Sequence, residues 1–131
     1  MIVVDTSVWI GSLRGIDSPV VRRLRALVED DEPILVGDLI LLELLQGARD
    51  DGHAARIERN LRQYPIVSML DEALAVQAAR NYRLLRARGI TVRKTIDVII
   101  GTFCITGGHF LLHDNRDFNP MEAHLGLRVV R

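Results

Sequence analysis

The chain has 131 residues, 48% of them apolar, and its 17 basic and 17 acidic side chains cancel to a formal net charge of zero. That length suits a single domain with a real hydrophobic core, and no apolar run approaches the ~20 residues of a membrane span. Zero net charge excludes a protein that holds nucleic acid by bulk positive charge, while leaving local basic patches open.

The N-terminus carries no basic leader, so its first residues are expected to be structural. Ile2-Val3-Val4 is an unbroken β-branched run, the pattern of a strand buried on both faces. Asp5 follows at once, and Thr6 and Ser7 turn the chain away. Asp5 is open to two readings. It caps the next helix, or it faces a ligand outside the carboxyl end of the strand. Ser18-Pro19 has the form of a helix cap followed by proline at the first helical position. Val21, Leu24, Leu27 and Val28 then give an apolar stripe, which ends in the solvated acidic turn Glu29-Asp30-Asp31-Glu32.

Residues 33–36 form a short strand candidate. The next helix, 39–47, is apolar almost all round and is expected to be buried. Glu43 is its only charge and has no partner at helical spacing. A glutamate in that setting shifts its pKa, binds something, or pairs with a distant arginine. Residues 51–63 read as an amphipathic helix with Ala54, Ile57 and Leu61 inward. Ile66-Val67 is a strand or an extended link. Asp71-Glu72 opens the longest helix, with Ala75, Ala78, Tyr82 and Leu85 inward and Gly89 as its stop.

Six cations and no acid lie between positions 80 and 94. They form either a solvated face or a surface for a phosphate backbone, with Arg86, Arg93 and Lys94 as the candidate RNA contacts. Thr95 is expected to cap a helix through 105, placing Asp97 in its first turn, where an acid commonly serves the helix dipole. Gly101 inside that helix suggests close backbone packing, and Gly107-Gly108 ends it. Cys104, the single cysteine, excludes an internal disulfide, fits a reducing cytoplasmic setting and reads as a buried, inert thiol. Residues 110–112 are another buried strand, running straight into His113-Asp114-Asn115-Arg116-Asp117-Phe118. Asn119-Pro120 is expected to be a turn, 121–125 a brief helix and 127–130 a last strand.

Alternating strands and helices imply a single α/β domain over 1–131, with a central, mostly parallel sheet and helices on both faces. Asp5 and the acids of 114–117 then share the carboxyl edge, and Glu43 and Asp97 can point into the same cleft. Carboxylates gathered so closely need a cation. Oxygen donors without cysteine favour Mg²⁺, or Mn²⁺ in its place, over zinc, and such an ion suits phosphodiester hydrolysis.

Four stretches in order, Asp5-Thr-Ser-Val-Trp9, Glu43-Leu-Leu-Gln-Gly47, Thr95-Ile-Asp97 and Leu111-Leu-His-Asp-Asn-Arg-Asp117-Phe118, resemble the PIN domain. The nearest branch is that of the VapC toxins of bacterial VapBC toxin–antitoxin systems, and the resemblance covers effectively the whole chain. It implies a Mg²⁺- or Mn²⁺-dependent endoribonuclease that cleaves tRNA or ribosomal RNA with metal-activated water. It also implies a cytoplasmic homodimer, held inactive by a VapB-type antitoxin whose C-terminal arm covers the active site. Carried over by position, Asp5, Glu43, Asp97 and Asp117 correspond to catalytic, metal-binding acids, and Thr6 and Ser7 to polar residues that orient them. One departure stands out. Asn115 occupies the place where many relatives carry the first acid of the last motif, and Asp114 comes one residue early. Alternation along an extended segment means that Asp114 and Asn115 do not both face the metal. Asp117 is the ligand the resemblance implies, because it coincides with an acid of the family pattern and needs no register shift, with Asp114 in reserve. The same departure supports the alternative of a catalytically weak PIN-like module that binds RNA or protein.

Overall fold

Five short strands carry the architecture in the computed structural model, which describes residues 1–131: β1 (Ile2–Val4), β2 (Ile34–Gly37), β3 (Ile66–Val67), β4 (Phe110–Leu112) and β5 (Arg128–Val129). They form one sheet in the order β3-β2-β1-β4-β5, and every pair is parallel. Val3 stands in register with Leu35 on one side and Leu111 on the other. The β-branched run thus occupies the middle of the sheet, where Val3 and Val4 lose all contact with solvent.

The chain steps outward from β1 through β2 to β3, then crosses back past β1 to reach β4 and β5. The reversal falls between β1 and β4. Open α/β sheets leave a crevice at the carboxyl end of such a switch point. The Asp5 amide closes the strand pair there, donating to the Leu112 carbonyl at 2.9 Å.

Seven α-helices fill the connections: α1 (Thr6–Leu13), α2 (Pro19–Glu29), α3 (Asp38–Gln46), α4 (Asp51–Leu61), α5 (Glu72–Ala87), α6 (Thr95–Gly107) and α7 (Asn119–Leu125). A 3₁₀ turn, Arg116–Phe118, precedes α7. The α1 helix packs on α2 and α3, and α3 on α4, whereas α5 packs on α6 and α7. Right-handed crossovers that run in opposite directions from β1 put these two groups on opposite faces of the sheet. No helix is long and apolar enough to cross a membrane.

Four local expectations are corrected. The α3 helix is not buried all round: only Ile40 and Leu44 are, and Leu42 is 53% exposed, because one side packs on α1 and α4 and the other stays open. The inner stripe of α5 is Ala78, Asn81 and Leu85, with Ala75 exposed. Asn81 is tolerated there because its Nδ2 donates to Thr102 Oγ1 on α6 at 2.9 Å. Thr95 is the first residue inside α6 and not its cap; the extended Lys94 holds the cap position without a side-chain bond. Asn119-Pro120 opens α7 instead of forming a separate turn, since proline lacks only an N–H that the first helical turn leaves unpaired anyway.

Gly101 meets the close packing expected of it. A Cβ at this position would lie 2.4 Å from Met121 Sδ, and Met121 is itself buried. Gly101→Ala should therefore destabilise the protein by about 1–3 kcal/mol through overpacking, measured by urea unfolding. Met121→Ala in the same chain should relieve part of that loss, so the double variant should fall short of the sum of the single costs.

Candidate active site

Asp5 caps α1 and also lies at the crevice, so serving as a cap does not remove it from the site. Its Oδ2 accepts from the Ser7 amide at 3.1 Å and from Ser7 Oγ at 2.6 Å. Ser7 Oγ in turn accepts from the Asp114 amide at 3.0 Å. A relay thus runs from the loop after β4, through one hydroxyl, to the carboxylate at the end of β1. The residue is only 3% exposed, yet Oδ1 is neither hydrogen-bonded nor sealed from solvent.

Glu43 projects from α3 and finds its partner in Thr6, whose Oγ1 donates to Oε1 at 2.7 Å. The expected alternative of a distant arginine is not what the structure contains. Asp97, in the first turn of α6, is 4% exposed. Asn115 Nδ2 lies 3.4 Å from Asp97 Oδ2, and Asn115 Oδ1 accepts from the Asp117 amide at 3.0 Å. Of the alternating pair, Asn115 faces the acids. Asp114 contributes its backbone N–H, and its side chain is exposed. Asp117 takes two contacts from Arg93 Nη2, at 2.9 and 3.0 Å.

The four acids act on one another. Burial, then the charges of Asp5 and Glu43, push Asp97 up to about 6; Asp117 adds to the effect and Lys94 opposes it. Of the three candidate RNA contacts, Arg93 reaches the cleft and Lys94 bears on Asp97. Arg86 lies over the Tyr82 ring and lines a groove between α5 and α6, away from the acids. His113 packs at a tilt against the Phe118 ring and accepts the Asn115 amide on Nδ1, and burial pulls its pKa below the usual histidine range. Arg116 and Asn119, which sequence reasoning treated only as turn residues, border the same loop.

Asp5, Glu43 and Asp97 share a design: one carboxylate oxygen is anchored and the other is free of hydrogen bonds. Cys104 is fully buried, with its thiol pushed up to about 12, so no thiolate joins the donor set. Hard oxygen donors of this kind fit Mg²⁺ or Mn²⁺. No three His, Cys, Asp or Glu side chains are already gathered into a cage. An open convergence suits Mg²⁺, which keeps several waters and takes one or two carboxylates plus substrate oxygens.

The model of the PIN domain family matches residues 2–123. The chain is 32% identical to VapC ribonuclease Mb1587 of Mycobacterium bovis over 132 residues, covering 99% of this chain and 98% of that one. It is 35% identical to ribonuclease VapC32 of Mycobacterium tuberculosis over 135 residues, covering 99% and 97%. Among solved structures, VapBC2 from Rickettsia felis bound to a promoter DNA fragment superposes with a TM-score of 0.78 at 15% identity, covering 99% and 98%. FitAcB from Neisseria gonorrhoeae gives 0.74 at 19% identity, covering 100% and 97%.

The position of Asp97 has a consequence for stability. Its folded pKa of about 6 lies above the ordinary 3.8, so the native state holds the extra proton between those values. Stability then falls as pH rises from about 4 to about 6, by at most about 3 kcal/mol. Asp97→Asn should raise the Tm of the metal-free protein at pH 7, with the gain fading toward pH 4. Melting curves in chelator across this range check it; a gain equal at both ends would discount mutual repulsion as its source.

Proposed function

This chain belongs to the PIN domain family, in its VapC ribonuclease branch, and from that membership we propose that it is a divalent-metal-dependent endoribonuclease, the toxin of a type II toxin–antitoxin pair. The observation that carries the reading is the convergence of Asp5, Glu43, Asp97 and Asp117 at the switch point of the sheet. Asp5, Glu43 and Asp97 would hold Mg²⁺ or Mn²⁺ through their free oxygens, with Asp117 joining them once Arg93 releases it. When bound, such an ion neutralises the acids and provides Lewis-acid activation for hydrolysis of a phosphodiester.

The chain's own residues do the positioning. Ser7 holds Asp5 by two donors, and Thr6 holds Glu43 by one, so the first turn of α1 orients acids from two different elements. The Asn115 amide ties Asp97 to the loop that carries Asp117. Asn115 supplies no charge of its own, so its place in the motif removes a carboxylate while keeping the loop's hold on Asp97. Arg93 and Lys94 set positive charge beside the acids, where an RNA backbone would otherwise be repelled.

A structured RNA, tRNA or ribosomal, is the proposed substrate, a VapB-type antitoxin the proposed inhibitor and a cytoplasmic homodimer the proposed assembly. Leu42, Leu70, Val76 and Leu84 are large exposed apolar side chains that such partners would cover. The similarity to VapBC complexes supports the antitoxin as a partner.

Cleavage mapping on tRNA and ribosomal RNA tests the reading. Purified protein should cut with Mg²⁺ or Mn²⁺ and stop in chelator, and Asp5→Asn or Glu43→Gln should reduce cutting to background in a folded protein. Thr6→Val, which removes only the donor that orients Glu43, should lower cleavage by roughly 10–100-fold. Binding without any cutting by the wild-type chain would leave a non-catalytic RNA module instead.

A further inference from the structure

Beside the acids lies a bowl of about 520 Å³ lined by Arg93, His113, Asp114, Asn115, Arg116 and Asn119, with no apolar side chain among them. A hollow without apolar walls is unsuited to a hydrophobic ligand. Its lining offers two guanidinium charges against one carboxylate, together with amide donors. We propose that this bowl seats an RNA phosphate neighbouring the one being cut, with Arg116 as its resident cation and Arg93 as a second cation transferred to it from Asp117. The inference rests on the ribonuclease reading and adds the subsite that would register the strand against the acids.

Arg116 is exposed, and none of the chain's four ion pairs involves it. An arginine held at the start of a 3₁₀ turn beside an acidic cleft, with no acid of its own, is available to an incoming anion. Arg93 is engaged on one side only. Both of its contacts to Asp117 come from Nη2, which leaves Nε and Nη1 open. The guanidinium carries five N–H donors in a planar fork, so a second acceptor can be met by the unused edge. The pair itself is exposed on the arginine side, 62%, and such pairs are weak and readily exchanged.

Asp117 can therefore trade Arg93 for a divalent cation without losing its charge balance, and the released guanidinium already borders the bowl. The remaining lining is compatible with an anion. His113 Nδ1 accepts the Asn115 amide, so the neutral ring carries its proton on Nε2 and is a donor there. Asp114 is the one acid in the lining, and its backbone is already committed to Ser7.

The test uses a labelled single-stranded RNA of mixed sequence, bound in chelator so that nothing is cut, over a series of salt concentrations. Arg116→Gln, and Arg93→Gln through loss of the edge that Asp117 leaves unused even without metal, should each weaken binding several-fold and flatten the plot of log K against log salt by about 0.7, the value for one phosphate contact on a single strand. Arg22→Gln, which touches only Asp17 on another part of the surface, should change neither. Mn²⁺ binding without RNA, followed by electron paramagnetic resonance, gives a second readout. Arg93→Gln should tighten Mn²⁺ several-fold by freeing Asp117, so that one substitution moves metal and RNA affinity in opposite directions; a merely structural Arg93 would not do that. Unchanged salt slopes in both arginine variants, with the wild-type chain still cutting RNA in Mn²⁺, would overturn the bowl and leave the ribonuclease reading standing. A wild-type chain that cuts no RNA in Mn²⁺ would overturn that reading and the bowl with it.

Discussion

Burying a carboxylate at the end of the central strand is the constraint on which the rest of the structure turns. Asp5 is almost wholly removed from water, and a bare buried charge is strongly unfavourable. It is tolerable here because β1 ends between two neighbours, and the chain brings donors from both directions. The Ser7 amide and hydroxyl come from the helix that Asp5 caps, and the Asp114 amide steadies that hydroxyl from the loop after β4.

Each acid is held by its own local device, and the devices differ in kind. A cap holds Asp5, a single hydroxyl holds Glu43, a neutral amide touches Asp97, and a guanidinium holds Asp117. Only the last supplies compensating charge by direct contact. Asp97, nearly as buried as Asp5 and touched only by a neutral amide, is pushed up to about 6 by burial and by its acidic neighbours. The site is built under mutual repulsion that raises the Asp97 pKa, and the hydrophobic sheet and helices keep the four groups from moving apart. Asn81 and Thr102 contribute to this by joining α5 to α6, the helix that carries Asp97, through a buried polar contact.

Four of the five strands, the parallel sheet and the placing of acids just past strand ends were legible in the sequence, whereas Ile66-Val67 reads there as either strand or link. Each follows from short-range patterns: β-branched runs, helical stripes and carboxylates just past strand ends. What could not be read were pairings between distant positions. Glu43 meets Thr6 across 37 positions, and Arg93 meets Asp117 across 24. Such contacts depend on how crossovers bring elements together, and periodicity does not encode that. The α3 helix shows the same limit, since an apolar composition cannot say how many of its sides a small domain can cover. Asn81 does not read as part of the inner stripe of α5, because the partner that makes its burial tolerable lies on another helix. Which of Asp114 and Asn115 turns inward depended on the 3₁₀ turn that follows them, a feature with no strong sequence signal.

Zero net charge excludes only capture of nucleic acid by bulk positive charge and leaves local basic patches open, and the charges are arranged unevenly. Beyond a Debye length of about 10 Å at moderate salt, opposite charges cancel and the protein presents little field to a distant polyanion. Within that length the cancellation fails, because the acids are concentrated in one cleft and Arg93, Lys94 and Arg116 border it. Under the proposed function, an RNA strand would gain from those cations only after coming into contact, and only if its phosphates fell beside the cleft and not over the acids. A strongly basic protein would capture any RNA first and discriminate afterwards. In a neutral one of the proposed function, attraction itself would be conditional on register, so the same few side chains proposed to meet the backbone would also restrict which backbone geometries are held.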